Sequence, residues 1–172
     1  MPKLSNYIHI DAPADQVWQV VGVQFDRIGE WATAIPASTA APNSGGVTQA
    51  RATGRSCHTG LRWLPEVSET ILDYDDAART LTYEAQDGMP KFVAVARNRW
   101  TVTPEGAQRC RVSYDAVFET RGVLGRLARG PALIGVMRTG RHTLDDLKHY
   151  VERGAPSPRK RRQLRKVSVR RG

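Results

Sequence analysis

The chain has 172 residues, 40% of them hydrophobic, and a formal net charge of +9. That length suits one domain with a sizeable core, and no apolar run reaches the ~20 residues a membrane-spanning helix needs. Eight of the 26 basic residues follow Gly154, where no acid occurs, so the positive charge belongs to an appended segment and the rest of the chain is close to neutral.

The opening MPKLSNYIHIDAP lacks a basic stretch leading into an apolar one, so a secretory leader is not expected. Alternation over Leu4 to Ile10 predicts a strand, broken at Asp11-Ala12-Pro13. A short helix follows over Ala14 to Gly22, with Asp11 as its cap, and a second over Phe25 to Ala34, ended by Pro36. Residues Ala37 to Gly46 read as a loop and Val47 to Thr53 as a strand, while Arg55 to Leu64 either extends that strand or forms a hairpin arm. Strands are expected at Glu66 to Tyr74, Arg79 to Ala85, Phe92 to Thr103 and Arg109 to Thr120, joined by short turns rich in Asp, Gly and Pro. Leu127, Ile134, Met137, Leu144, Leu147 and Val151 recur at helical spacing and predict a long amphipathic helix. Pro131 marks its start, and Gly154 and Pro156 its end. Residues 154–172 read as a disordered basic tail.

The strands between Val67 and Glu119 carry the functional signal. Each has a polar group on its otherwise apolar face: Glu69, Asn98 and Tyr114. A buried polar group without a partner costs roughly 1–3 kcal/mol, so a face meant only to pack a helix would be apolar throughout. The even-numbered set from Phe92 to Val102, including Ala94, Ala96, Asn98 and Trp100, is expected to face inward with Tyr83, Tyr114 and Ala116. Small side chains at mid-strand leave room for a ligand or for a closely docked helix.

Three segments resemble a known superfamily: IDAPADQVWQVVGVQFDRIGEW, EVSETILDYDDAARTLTYEA, and MPKFVAVARNRWTVTPEGAQRCRVSYDAVFE with the helix ending in TLDDLKHYVE. Together they are similar to START-like, Bet v 1-like proteins of the SRPBCC family, in its polyketide cyclase/dehydrase-type branch. The resemblance implies an α+β helix-grip fold over residues 1–153: a seven-stranded antiparallel sheet wrapped around a long C-terminal helix, with a ligand cavity between them. Relatives such as the plant abscisic acid receptors carry a glutamate facing the ligand in the motif that reads SETILDYD here, which implies a cavity position for Glu69.

A carboxylate on an apolar face should have a raised pKa unless a cation lies near, and Arg51 is the expected partner of Glu69. Glu69 then anchors a ligand oxygen, acts as a general acid or base, or forms a structural ion pair that sets strand register. Asn98 and Tyr114 hydrogen-bond a ligand or satisfy the backbone, and Tyr114 is a second candidate for proton transfer. Trp31, Tyr83, Trp100 and Met137 line the cavity or belong to the core. Gly140 gives room to a ligand or to close packing. His9, His58, His142 and His149 lack metal-ligand spacing, and no nucleotide-binding or nucleophile motif occurs, so no metal or cofactor is expected.

Three functional expectations follow. The first is binding or transport of a hydrophobic small molecule such as a lipid, polyketide or isoprenoid, by a cytoplasmic protein with two free cysteines, Cys57 and Cys110. The second is a polyketide aromatase/cyclase using Glu69 or Tyr114. The third is docking of the basic tail on nucleic acid or an anionic membrane through weak, non-specific contacts. The loops Ala37 to Gly46 and Asp87 to Lys91 are expected at the cavity mouth.

Overall fold

The structure, a computed structural model, describes residues 3–41 and 52–169. Its strands are β1 (Lys3–Ile10), β2 (Ala37–Ala40), β3 (Gly54–Leu61), β4 (Leu64–Asp75), β5 (Thr80–Asp87), β6 (Val93–Gly106) and β7 (Arg109–Thr120). They form one antiparallel sheet in the order β1-β7-β6-β5-β4-β3-β2, so only β1 leaves its sequence neighbours to close the far edge. Between β1 and β2 lie α1 (Ala14–Trp18), a π-helical turn (Gln19–Val23), a 3₁₀ turn (Phe25–Arg27) and α2 (Ile28–Trp31). The long helix α3 (Gly122–Arg153) and a further helix α4 (Pro158–Val169) end the chain. This is the helix-grip architecture of the expected α+β class.

The hairpins follow from their turn residues. The Asp75 carboxylate accepts from the Ala78 N–H at 2.8 Å and closes the β4–β5 turn. After β5, Gly88 has φ +86°, and a Cβ there would lie 2.1 Å from the Glu66 carbonyl oxygen. Register shifts in β4 and β6 insert extra residues and curve the sheet. The shift between Val93 and Val95 reverses the side-chain alternation, so Ala94 is exposed rather than inward.

The core lies between the sheet, the short helices and the C-terminal half of α3. It includes Ile10, Trp18, Phe25, Leu81, Trp100, Leu144 and Leu147. Three contacts fix that half of α3. The Lys148 ammonium donates to the His9 carbonyl at 2.6 Å, Glu152 accepts from the Asp11 N–H at 2.8 Å, and Asp146 accepts from the Thr33 N–H at 2.7 Å. Asp11 thus ties down α3 and does not cap α1, whose first turn follows Pro13.

Several local expectations need correction. The helix is continuous from Gly122, with Pro131 inside it on the exposed face, where solvent reaches the carbonyl that the ring leaves unbonded. Its apolar stripe is not a single buried face: Leu144, Leu147 and Val151 are buried, whereas Leu127, Ile134 and Met137 are exposed. A seven-residue step falls about 20° short of two helical turns, which turns Leu127 and Ile134 progressively from the buried line, and Met137, still close to that line, is exposed because this half of α3 stands clear of the sheet. Residues 37–40 form an edge strand, 52 and 53 are not strand, and the rest of the expected 47–53 strand lies outside the described residues.

The segment after Gly154, read from composition as a disordered tail, holds a docked helix. Ser157 accepts from the Lys160 N–H at 3.3 Å ahead of the first turn, and Pro158 occupies the first helical position. The Lys160 side chain is buried and donates to the carbonyls of Ile35 and Pro36 at 2.7 and 3.2 Å and to Gln163 at 3.0 Å.

Candidate functional site

The N-terminal half of α3 stands away from the sheet. It is held at its start, where the Arg121 N–H donates to the Phe92 carbonyl at 2.8 Å, and by the contacts of its C-terminal half. Beneath it lies a cavity of about 450 Å³. The helix faces it with small residues, Ala132, Gly135, Val136 and Thr139, and the sheet contributes Val67, Ala96, Ala116 and Phe118. Small side chains on both facing surfaces leave the volume unfilled. The opening is bordered by Leu61 and Trp63 at the β3–β4 turn and by Met89 and Pro90 after β5, and Trp63 is 70% exposed.

Glu69, Asn98 and Tyr114 all line this cavity. They come from β4, β6 and β7 and reach the same wall because the antiparallel registers bring them together. Asn98 pairs with Tyr83 on one side and Ala116 on the other, and Tyr114 pairs with Trp100. The Tyr114 hydroxyl donates to Asn98 Oδ1 at 2.7 Å, and its ring packs on Trp100 with centroids 4.8 Å apart. Burial, with Tyr83 and Glu69 adding to it, holds the Tyr114 phenol well above its ordinary pKa, so it stays a hydrogen-bond donor.

Glu69 is paired, and its cation is Arg55. Arg51 lies outside the described residues. Arg55 stands directly opposite Glu69 in the β3–β4 ladder, and Nε donates to Glu69 Oε2 at 2.6 Å. The guanidinium also donates to the Phe25 carbonyl at 2.8 Å and lies 3.8 Å over the Phe25 ring and 5.0 Å from the adjoining Tyr83 ring. Burial works against its charge, but Glu69, with Cys57 and Tyr83 beside it, holds its pKa above the ordinary value. Cys57 Sγ lies 3.7 Å from the same Glu69 oxygen, and burial pushes its pKa up to about 12, so the thiol is unreactive at neutral pH.

The other candidates lie elsewhere. Trp31 stacks on Tyr150 in the core at 6.5 Å, Tyr83 and Trp100 are buried behind the cavity wall, and Met137 is on the outer face of α3. Gly140 lets Tyr114 approach: a Cβ there would lie 2.9 Å from its Cε1. Arg55 and Cys57 are the site residues missed in the sequence. The available signal was a basic residue fourteen positions before Glu69, across a strand pair with a short turn. Among the described residues no His, Cys, Asp and Glu cluster could hold a metal, and no helix is long and apolar enough to cross a membrane.

A family model described as polyketide cyclase/dehydrase and lipid transport matches residues 1–152. Among solved structures, the ZhuI aromatase/cyclase of a Streptomyces species is similar with a TM-score of 0.69 at 16% identity, over 88% of this chain and 94% of that one. An uncharacterised Bacillus thuringiensis protein has a TM-score of 0.69 at 20% identity, over 87% and 98% of the two chains. A START superfamily protein of Mycobacterium smegmatis has a TM-score of 0.64 at 15% identity, over 88% and 97%. No curated protein matches significantly.

Proposed function

We propose that this chain, which belongs to the polyketide cyclase/dehydrase and lipid transport family, binds a hydrophobic small molecule carrying at least one oxygen in the cavity beneath α3. One observation carries the reading: about 450 Å³ of unfilled, largely apolar space has Glu69, Asn98 and Tyr114 gathered on its sheet wall. Sites for small hydrophobic ligands have this size and make-up, with a few polar groups to orient the molecule. Tyr114 supplies a phenol that remains protonated. Among the described residues the Arg55 and Cys57 contacts of the Glu69 carboxylate fall on Oε2, so that Oε1 is the oxygen offered to a ligand hydroxyl.

Binding without turnover is favoured over catalysis because the ionisable groups of the wall are occupied or silenced. Arg55 neutralises Glu69, and the pKa values of Cys57 and Tyr114 are raised far from neutrality. Native mass spectrometry of the purified chain, followed by titration with a fluorescent lipophilic probe, tests the proposal. A co-purifying lipophile, or probe binding that Gly135→Leu abolishes by filling the cavity, supports it. No co-purifying molecule and no probe binding would defeat it. Turnover of a poly-β-keto thioester that Glu69→Gln abolishes would replace it with the aromatase/cyclase reading.

A further inference from the structure

Helix α3 presents a second apolar surface, on the side turned away from the cavity. Val123, Leu127, Ile134 and Met137 recur at spacings of four, seven and three, and so share one stripe along the helix. Leu127 is 75% exposed and Ile134 61%. Side chains of this kind, contiguous over several turns in a stable domain, mark a surface that something else covers. Trp63 and Leu61, which border the cavity opening at the β3–β4 turn, are also exposed, with Arg62 between them.

The charge around the stripe identifies what covers it. From Arg121 to Leu144 the chain has five arginines and no acid. At helical spacing Arg126 and Arg138 fall on the two flanks of the stripe and Arg141 continues it, and all three are exposed. An apolar ridge with cationic flanks, together with an exposed tryptophan at the cavity opening, fits the boundary of an anionic bilayer. There the apolar side chains enter the acyl region, arginines meet phosphates and tryptophan sits at the headgroup level. A second copy fits poorly, since a two-fold contact through this face would set arginine against arginine.

We propose that the outer face of α3, with the β3–β4 turn, docks the protein on anionic phospholipid membranes and holds the cavity opening against the lipid. This goes beyond ligand binding in the cavity and does not depend on it. It is also distinct from any contact made by α4, whose basic residues lie on a separate helix.

The experiment is vesicle flotation of the full chain with phosphatidylcholine alone and with equal parts phosphatidylcholine and phosphatidylglycerol. Binding is expected on the anionic vesicles, weakening as salt rises. Leu127→Glu and Ile134→Glu should each reduce it about tenfold or more. Both positions are exposed, so an unchanged thermal melt shows that folding is intact. Arg161→Gln with Arg162→Gln, on the exposed side of α4, should leave most of the binding in place. Trp63 is exposed while Trp18, Trp31 and Trp100 are buried, so quenching by brominated lipid reports its position directly. No binding to anionic vesicles, binding that Leu127→Glu leaves unchanged, or binding lost through the α4 substitutions instead would overturn the proposal. So would a dimer that Ile134→Glu dissociates, or an acidic protein or nucleic acid retained by this face while vesicles are not.

Discussion

Arg55 and Glu69 face each other across the β3–β4 ladder, with Nε 2.6 Å from the carboxylate, at the point where the buried core becomes the cavity wall. The guanidinium is 3% exposed, and it also contacts the Phe25 carbonyl and the faces of two aromatic rings. The pair therefore joins the 3₁₀ turn after α1 to the sheet and also gives the cavity its carboxylate.

Glu69→Ala leaves a buried guanidinium without a counter-charge and should cost about 3 kcal/mol or more of stability. The double substitution Arg55→Met with Glu69→Leu should cost less than Glu69→Ala alone, because no charge is stranded. Urea denaturation of the three chains measures both quantities. A double variant less stable than the single one would show that the pair contributes a net gain.

Tyr114→Phe keeps the ring against Trp100 and removes only the hydroxyl that donates to Asn98. Stability should fall by about 1 kcal/mol. Affinity for lipophiles with a hydroxyl, which can donate to the phenol oxygen, should fall about tenfold, while that for pure hydrocarbons stays unchanged. Calorimetric titration of matched ligand pairs makes the comparison, and an equal loss for both classes would remove Tyr114 as an oxygen anchor.

Two glycines of α3 should respond oppositely to alanine. A Cβ at Gly135 meets nothing within 4 Å, so Gly135→Ala should gain up to about 1 kcal/mol in helix propensity. At Gly140 the methyl would press on Tyr114, whose ring is fixed by Trp100 and Asn98, and a net loss of about 1–2 kcal/mol is expected. Thermal melts of the two variants test the contrast.

Lys160 sets a pH dependence. Burial lowers its pKa from 10.5 to about 8, with Asp146 opposing the shift. The folded chain thus releases this proton at a lower pH than the unfolded chain, and between about pH 8 and 10.5 the unfolded state holds more protons. The contribution of Lys160 to stability should therefore rise with pH through that window, and below it the buried charge exacts its full cost. The stability difference between the natural chain and Lys160→Gln, followed across that range, isolates the effect. A flat difference would rule it out.

Much of this molecule is legible in its residues, because strand alternation and hairpin turns are local properties. Glu69, Asn98 and Tyr114 reach the cavity as their alternation indicates. Ala94 does not, since a bulge adds a residue that no local pattern announces. Arg55 is hidden for a related reason: the residue pattern favours a strand over Val47 to Thr53, which puts Arg51 in its place opposite Glu69, whereas β3 begins at Gly54. Met137 illustrates a different limit. Spacings of three, four and seven keep it in line with Leu144 and Leu147, but it lies where α3 stands away from the sheet, and no local pattern shows where that separation begins. The α4 segment reads as a disordered tail because its composition is dominated by charge. Its docking depends on one lysine finding two backbone carbonyls far back in the chain.

That lysine has a consequence for how the cavity is shaped. The family match ends at residue 152, yet α4, beyond it, braces the carbonyls of Ile35 and Pro36, and Ile35 lines the cavity. Part of the chamber is thus buttressed by sequence that lies outside the shared domain. Chains with the same grip but a different extension would inherit the room while differing in what props its wall.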